Sequence, residues 1–143
     1  MTDRQKLTEQ LMRHEGVRLT VYNDTKGIAT IGVGRNLRDR GLSHAEAMLL
    51  LDHDIDECVT DLAGAFPWFA TLNAVRQRAV TDMRFNLGPS RFRGFKRMIR
   101  MLSEGNYQAA AESARDSVWY GQTKTRGVRI VEMLRTGQES TAC

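Results

Sequence analysis

HEGVRLTVYNDTKGIATIGVGRN, residues 14–36, is where the sequence changes from helical to extended patterning. β-Branched and aromatic side chains are frequent over residues 19–33, and turn-forming dipeptides interrupt them at 23–24 and 26–27. This pattern predicts a small antiparallel hairpin or meander. We expect it to be the only sheet of the chain.

A helix is predicted immediately before this stretch. Leu7 and Leu11 lie four positions apart among charged residues, which is typical of an amphipathic helix over residues 3–14. Gly16 follows this helix and predicts a left-handed C-terminal cap. Glu15 is therefore expected at the end of a helix.

Helices are also predicted for the rest of the chain. Ser43 and Glu46 match the capping box of a helix over about 43–63, and the apolar segment FPWFATL after it is predicted to be a loop. Further helical patterns cover about 72–87, 92–103, 107–118 and 124–135. The order of helix, small sheet, helix and helical bundle predicts an α+β, mostly helical fold.

Length and composition predict one domain. The chain has 143 residues, of which 41% are hydrophobic, and this is enough to build a single core. We expect residues 1–143 to form this domain. A small β-containing lobe is expected over about 15–60, and a helical lobe over about 65–137 that also includes the N-terminal helix.

The net charge of +4 indicates a surface that favours polyanions such as nucleic acid, acidic membranes or anionic cell-wall polymers. The N-terminal segment MTDRQKLTEQLM lacks the apolar core of a signal peptide, and no apolar run is long enough to span a bilayer. We therefore expect the protein to be made in the cytoplasm.

The cysteines and histidines do not match a known ligand pattern. Cys58 and Cys143 fit neither a metal site nor a disulfide framework, so both are predicted to be free thiols without a function. His14, His44 and His53 are scattered along the chain, and scattered histidines are more often structural or exposed than metal ligands. We predict no metal and no cofactor.

The two acids of residues 14–36 differ in their expected surroundings. The carbonyl groups at a helix end disfavour a negative charge, so Glu15 is suited to donating a proton, and burial would act in the same direction. Asp24 lies in a polar turn, where a carboxylate is well solvated. One acid and one carboxylate are what glycosidic-bond cleavage requires. Either residue alone would more often be ordinary solvated surface.

A threonine and two glycines accompany these acids. Strand alternation places Thr30 and Gly32 on the same face, where the threonine hydroxyl can hold a water. Gly32 and Gly34 lack side chains and are expected to leave that face open for a bulky ligand.

Residues 15–34 read Glu-Gly-x-Arg-Leu-x-x-Tyr-x-Asp-Thr-x-Gly-x-x-Thr-Ile-Gly-x-Gly. This run resembles the catalytic signature of the phage-type lysozymes, the endolysins. The resemblance continues at 85–88, 94–102, 117–129 and 135–137, so it covers nearly the whole chain. It implies a lysozyme-like two-lobed fold with a cleft between a small lobe bearing the antiparallel sheet and a C-terminal helical bundle.

The resemblance also implies an activity. The family hydrolyses the β-1,4 bond between N-acetylmuramic acid and N-acetylglucosamine in peptidoglycan, so we expect a muramidase that lyses bacterial cells. Glu15, Asp24 and Thr30 match the catalytic residues of the family. In the implied mechanism, Glu15 protonates the leaving oxygen while Asp24 and Thr30 hold and activate a water, with inversion at the anomeric carbon.

Four further residues are assigned to substrate binding by the resemblance. Phe85 and Asn86 fall where the family's helical lobe lines the cleft, Ser113 falls at a polar groove position, and Arg126 matches an arginine that approaches the catalytic glutamate. The alternatives are that Phe85 is an ordinary core side chain and that Arg126 is solvated. Trp119 is expected to pack between the lobes rather than bind sugar.

The resemblance implies peptidoglycan as the substrate, a monomer without a nucleic-acid partner, and a holin that opens the membrane to a protein made in the host cytoplasm. Two rival functions remain.

A lytic transglycosylase on the same fold would use the glutamate alone and form an anhydro-sugar, whereas Asp24 and Thr30 favour hydrolysis. A cationic protein would bind anionic membranes or cell walls through the arginine-rich residues 90–97.

One residue departs from the family: Arg84 stands at a position that is apolar in it.

Overall fold

The computed structural model describes residues 1–142 of the chain, which forms two compact units, Met1–Leu50 and Leu51–Cys143. Cys143, one of the two predicted free thiols, lies outside the described residues. The predicted α+β fold is confirmed: residues 1–142 contain eight α-helices and one small antiparallel sheet. No helix among them combines the length and the apolar character needed to cross a membrane. The division into a β-containing lobe and a helical lobe stays a prediction.

Helix α1, Asp3–Glu15, confirms the predicted N-terminal helix, although none of its side chains is buried. It begins with a capping box in which the Gln5 N–H donates to Thr2 Oγ1 at 3.1 Å and the Thr2 N–H donates to Gln5 Oε1 at 2.7 Å. The predicted left-handed cap at Gly16 is only half right. Its φ is 75°, but its ψ of 168° is extended, and this directs the chain into the first strand.

The predicted meander is confirmed between residues 18 and 36. It has three antiparallel strands in the order β1-β2-β3, namely β1 Arg18–Asn23, β2 Ala29–Gly32 and β3 Arg35–Asn36. The register of β1 is irregular between Arg18 and Tyr22. Thr30 lies on the central strand, opposite Tyr22.

Helix α2, His44–Ala65, begins at the predicted capping box. The Glu46 N–H donates to Ser43 Oγ at 3.1 Å, and the Ser43 N–H donates to Glu46 Oε1 at 2.8 Å. Arg35 also donates two hydrogen bonds to the Glu46 carboxylate, at 2.9 and 2.5 Å. The bonds from Arg35 and Ser43 lower the pKa of Glu46 to about 2. The cap of α2 is thereby tied to the third strand.

The second unit contains the rest of α2, a 3-10 helix at Pro67–Thr71 and six further α-helices. These are α3 Ala74–Leu87, α4 Pro89–Arg93, α5 Lys96–Ser103, α6 Tyr107–Arg115, α7 Val118–Thr123 and α8 Thr125–Thr136. The helices predicted over 72–87 and 124–135 correspond to α3 and α8. The segment FPWFATL was predicted to be a loop, but it contains the 3-10 helix.

Two other helix boundaries differ from the prediction. The predicted helix over 92–103 is split into α4 and α5, because the Gly94 N–H bonds the carbonyls of Arg91 and Phe92 and closes a tight turn. The predicted helix over 107–118 ends at residue 115. Ser117 Oγ accepts the Tyr120 N–H at 3.2 Å and so opens a new helix, α7.

The apolar core lies in the second unit. Full burial of a large apolar side chain contributes about 2 kcal/mol relative to exposure. The largest side chains buried to this degree are Phe92, Leu62, Met83, Met98, Leu102, Ile130, Leu134 and Val80. Among residues 1–50, by contrast, Thr30 alone is buried. The second unit therefore supplies most of the hydrophobic stabilisation.

A buried cation borders this core. Arg84 is 6% exposed, and its Nε donates to Asp61 Oδ2 at 2.9 Å. Arg93 donates to the same carboxylate at 2.7 and 3.2 Å. Hydrogen bonds from Arg93 and Arg84 lower the pKa of Asp61 to about 2. Cys58 is a buried free thiol 3.5 Å from Arg84, and its burial raises the pKa of that thiol. The carboxylate of Asp61 thus compensates the buried charge of Arg84, which stands at a position expected to be apolar.

Asp61→Asn should destabilise the protein, because it leaves the buried Arg84 without its carboxylate. We expect the free energy of unfolding at pH 7 to fall by about 3 kcal/mol, measured by urea denaturation. The pKa of about 2 in the folded state lies below the value of about 3.9 for an unfolded aspartate. The difference in the free energy of unfolding between wild type and variant should therefore have its full size above about pH 5. It should disappear as the pH falls toward 2 and Asp61 becomes protonated.

Asp116→Asn is the matched control, because Asp116 is exposed and its carboxylate bonds no partner within residues 1–142. It should change the free energy of unfolding by less than about 0.5 kcal/mol. Equal losses in the two variants, or a loss in Asp61→Asn that is independent of pH, would contradict this role of Asp61.

Candidate active site

Glu15 is the last residue of α1, and its side chain lies against Gly34. A Cβ atom placed on Gly34 would be 2.7 Å from Glu15 Oε2 and 3.0 Å from its Cδ, and Gly34 also has a φ of +67°. Gly34 was expected to leave space for a ligand, but the space is used by Glu15. Gly32 has no atom within 4 Å of such a Cβ, in line with that expectation. The Glu15 side chain itself is exposed.

Asp24 begins a tight turn that fixes one of its carboxylate oxygens. The Gly27 N–H donates to the Asp24 carbonyl at 2.9 Å and closes the turn. Oδ1 of Asp24 accepts the N–H of Lys26 at 2.8 Å and that of Ile28 at 2.9 Å. Oδ2 bonds no group of the described chain. One carboxylate oxygen is therefore committed to the turn, and the other is free to bind a ligand.

Thr30 is buried, with 4% exposure, and its hydroxyl donates to the Ile28 carbonyl at 2.8 Å. The same carbonyl accepts the Asp24 N–H at 3.0 Å. The backbone of Ile28 thus binds both predicted residues and holds them in one arrangement. Because the hydroxyl has used its hydrogen, the Thr30 oxygen can only accept from a further ligand. Sequence reasoning missed Ile28, since a backbone contact leaves no signal in residue type.

Phe85 and Arg126 line one cavity of about 530 Å³ in the second unit. Phe85 is 42% exposed, which contradicts the alternative that it is a core side chain. Arg126 donates from Nε to Asp82 at 2.8 Å, with a second nitrogen 2.7 Å from the same oxygen, so it is held by a partner rather than solvated alone. Leu51, Ile55, Val59 and Phe69 supply apolar walls. The predicted approach of Arg126 to Glu15 joins the two units and stays a prediction.

Asn86 and Ser113 lie elsewhere on the second unit. Ser113 lines another cavity, of about 600 Å³, together with Trp119. Asn86 is exposed, and its Oδ1 accepts the Trp119 Nε1–H at 2.9 Å. Trp119 was expected to pack between the lobes rather than bind sugar; it is buried, with 3% exposure, in the core of the second unit. Its contact with Asn86 spans 33 positions and had no signal in the sequence.

No group of three or more His, Cys, Asp or Glu side chains within residues 1–142 is arranged to hold a metal ion. Within the first unit, the candidate groups are the carboxylates of Glu15 and Asp24 and the hydroxyl of Thr30. Such a set can donate and accept protons and hydrogen bonds, and it can hold a water against a bound ligand.

Comparison with known proteins gives one family and several relatives. The phage lysozyme family matches residues 12–132. The chain is 30% identical, over 92% of its length, to the pre-baseplate central spike protein of Enterobacteria phage T4, of which it spans only 28%. It is 35% identical to the endolysin of Salmonella phage P22 over 73% of this chain and 75% of that protein. A probable T4-type lysozyme of Dictyostelium discoideum is 23% identical over 92% of this chain and 94% of that protein.

Gly34→Ala should displace the Glu15 side chain, whereas Gly32→Ala should not. Both glycines have positive φ, so each alanine should lower the free energy of unfolding by about 1 kcal/mol. Only the alanine at 34 adds a methyl group against the Glu15 carboxylate. We expect the ¹³C resonance of the Glu15 carboxyl to move in Gly34→Ala and to stay in place in Gly32→Ala. A similar resonance shift in both variants would count against the contact.

Proposed function

The chain belongs to the phage lysozyme family and is a glycoside hydrolase of the lysozyme type; from this premise we propose its reaction, the residues that perform it and its route to the substrate. The substrate is bacterial peptidoglycan. The bond cleaved is the β-1,4 linkage between N-acetylmuramic acid and N-acetylglucosamine, and the anomeric carbon is inverted.

One observation supports this mechanism: Asp24 Oδ2 and Thr30 Oγ1 receive no hydrogen bond from the described chain, and both are acceptors. Asp24 Oδ1 is occupied by two backbone N–H groups, and the Thr30 hydroxyl has given its hydrogen to the Ile28 carbonyl. A water bound by Asp24 Oδ2 and Thr30 Oγ1 donates both of its hydrogens to them. The lone pairs of this water take no part in those two bonds and remain available to attack the anomeric carbon.

Glu15 supplies the proton in this mechanism. It lies at the end of α1 and not in the turn that holds Asp24, and its side chain rests on Gly34. In its acid form it protonates the leaving oxygen as the glycosidic bond breaks, while the water attacks the opposite face of the sugar and gives a proton to Asp24 Oδ2. Inverting glycosidases separate the two carboxyl groups by roughly 6.5–9.5 Å to admit that water.

Phe85, Asn86, Ser113 and Arg126 form the substrate-binding part of the second unit. The exposed ring of Phe85, at the edge of an apolar cavity, has the flat apolar surface that packs against a sugar ring. Asn86 and Ser113 offer hydrogen-bonding groups, and Arg126 offers a cation whose position is set by Asp82. These contacts bind and orient the polymer, while the chemistry stays with the first unit.

The route to the wall follows the likeness to the phage P22 endolysin. The protein is made in the host cytoplasm and reaches peptidoglycan after a holin has opened the membrane. It acts as a monomer without a cofactor. A second function, binding to anionic walls or membranes, is supported by Arg91, Lys96, Arg97 and Arg100, which are exposed and form no ion pair within the described part of the chain.

Glu15→Gln should remove the lytic activity, because glutamine keeps the shape of the side chain but cannot donate the proton. We expect the rate of lysis of outer-membrane-permeabilised cells to fall at least about 100-fold. Glu9→Gln is the matched control, since Glu9 is an exposed acid on the same helix, and it should leave the rate unchanged. Unchanged lysis by Glu15→Gln would overturn the enzymatic mechanism in favour of killing by the cationic surface.

The products of digestion separate the possible reactions. Hydrolysis with inversion of a β bond gives a reducing sugar that is first released as the α anomer, which proton NMR can follow before mutarotation. Mass spectrometry of the muropeptides should show the mass of one added water. An anhydro-sugar would identify a transglycosylase, and a β anomer as first product would refute inversion.

A further inference from the structure

The indole of Trp119 reaches across the second unit to the side chain of Asn86. Its Nε1–H donates to Asn86 Oδ1 at 2.9 Å, and the two residues are 33 positions apart. Trp119 is buried and Asn86 is exposed. The Nδ2 group of Asn86 meets no acceptor within bonding distance among residues 1–142. The oxygen of the Asn86 amide thus accepts a hydrogen bond from the core, and its NH₂ group is free to donate to a ligand.

An indole is a donor and never an acceptor. It can therefore bind only the oxygen of an amide, and the alternative orientation, with the two groups exchanged, would place two donors against each other. We propose that Trp119 is a positioning residue that fixes the Asn86 amide so that its NH₂ group faces the substrate. This inference rests on the proposed function, because it assumes that Asn86 contacts the polymer.

The position of the indole is set by several independent contacts. Its ring packs edge-on against Phe95, with centroids 6.2 Å apart. Ser117 caps the helix that carries it, and the Thr123 hydroxyl donates to the Trp119 carbonyl at 3.0 Å. A side chain held in this way cannot follow a flip of the Asn86 amide. The indole therefore determines which half of the amide the substrate meets.

A fixed amide makes the site selective for one kind of group. Asn86 presents a donor, so its partner on the substrate is an acceptor oxygen, such as the acetamido carbonyl that both sugars of peptidoglycan carry. A substrate group that can only donate would meet the two N–H groups and be disfavoured. Trp119 does not touch the reacting atoms, and its effect is expected in substrate binding rather than in the chemical step.

Trp119→Phe removes the N–H and keeps an aromatic ring in the core. We expect KM for soluble peptidoglycan fragments to rise about fivefold, the worth of one neutral hydrogen bond, while kcat stays within about twofold. Trp68→Phe is the matched control, because Trp68 is also buried in this unit and its indole donates to no group of residues 1–142. It should change neither constant.

A double-mutant cycle separates positioning from packing. In an Asn86→Ala background, Trp119→Phe should have no further effect on KM, since there is no amide left to orient. Asn86→Asp keeps an acceptor for the indole but loses the NH₂ donor, and it should raise KM at least as much as Trp119→Phe. An unchanged KM in Trp119→Phe, or additive effects in the cycle, would overturn the proposal.

One measurement is independent of activity. The Trp119 indole N–H should exchange slowly with solvent in wild type and faster in Asn86→Ala, while that of Trp68 should be the same in both. Equal exchange of the Trp119 proton in the two proteins would refute the hydrogen bond itself. If the exchange behaves as expected but wild type does not cleave peptidoglycan, the proposed function fails and the orientation of Asn86 stands.

Discussion

The backbone of Ile28 is the constraint on which the candidate active site depends. Its N–H binds Asp24 Oδ1, and its carbonyl accepts both the Asp24 N–H and the Thr30 hydroxyl. Because three hydrogen bonds meet on one residue, Asp24 and Thr30 cannot reorient independently of each other. Their relation is set by the length of the turn and the register of the second strand rather than by packing, which explains how a unit that buries so little can still hold a precise site.

The features that could be predicted from sequence are those built by contacts over a few residues. The capping box of Ser43 and Glu46, the turn after Asp24 and the helix that ends at Glu15 all depend on hydrogen bonds between near neighbours. Residue type and spacing favour such bonds where a side chain forms a cap or closes a turn. The three predicted catalytic residues lie within this local part of the chain, so the helix end, the turn and the strand that carry them could be anticipated. The contacts of Ile28 and the packing of Glu15 against Gly34 could not.

The features that could not be predicted depend on contacts between distant positions. Arg84 binds Asp61 across 23 positions, and Arg126 binds Asp82 across 44. An arginine at an apolar helical position was visible in the sequence, but the carboxylate that compensates it was not. The break between α4 and α5 was missed for a related reason, since the amphipathic pattern continues through Gly94. The spacing of apolar residues indicates which face of a helix is buried. It does not indicate where one helix ends and the next begins.

A common principle relates the two kinds of contact. Asp24, Thr30 and Asn86 each carry two hydrogen-bonding functions, and in each case the protein binds one and leaves the other free. The group that the protein binds determines the direction of the group that stays free. That free group is an acceptor at Asp24 and Thr30 and a donor at Asn86. A polar side chain that is only half satisfied in this way needs no large buried surface to be specific. The local backbone provides the bound partner in the first unit, and the packed core provides it in the second.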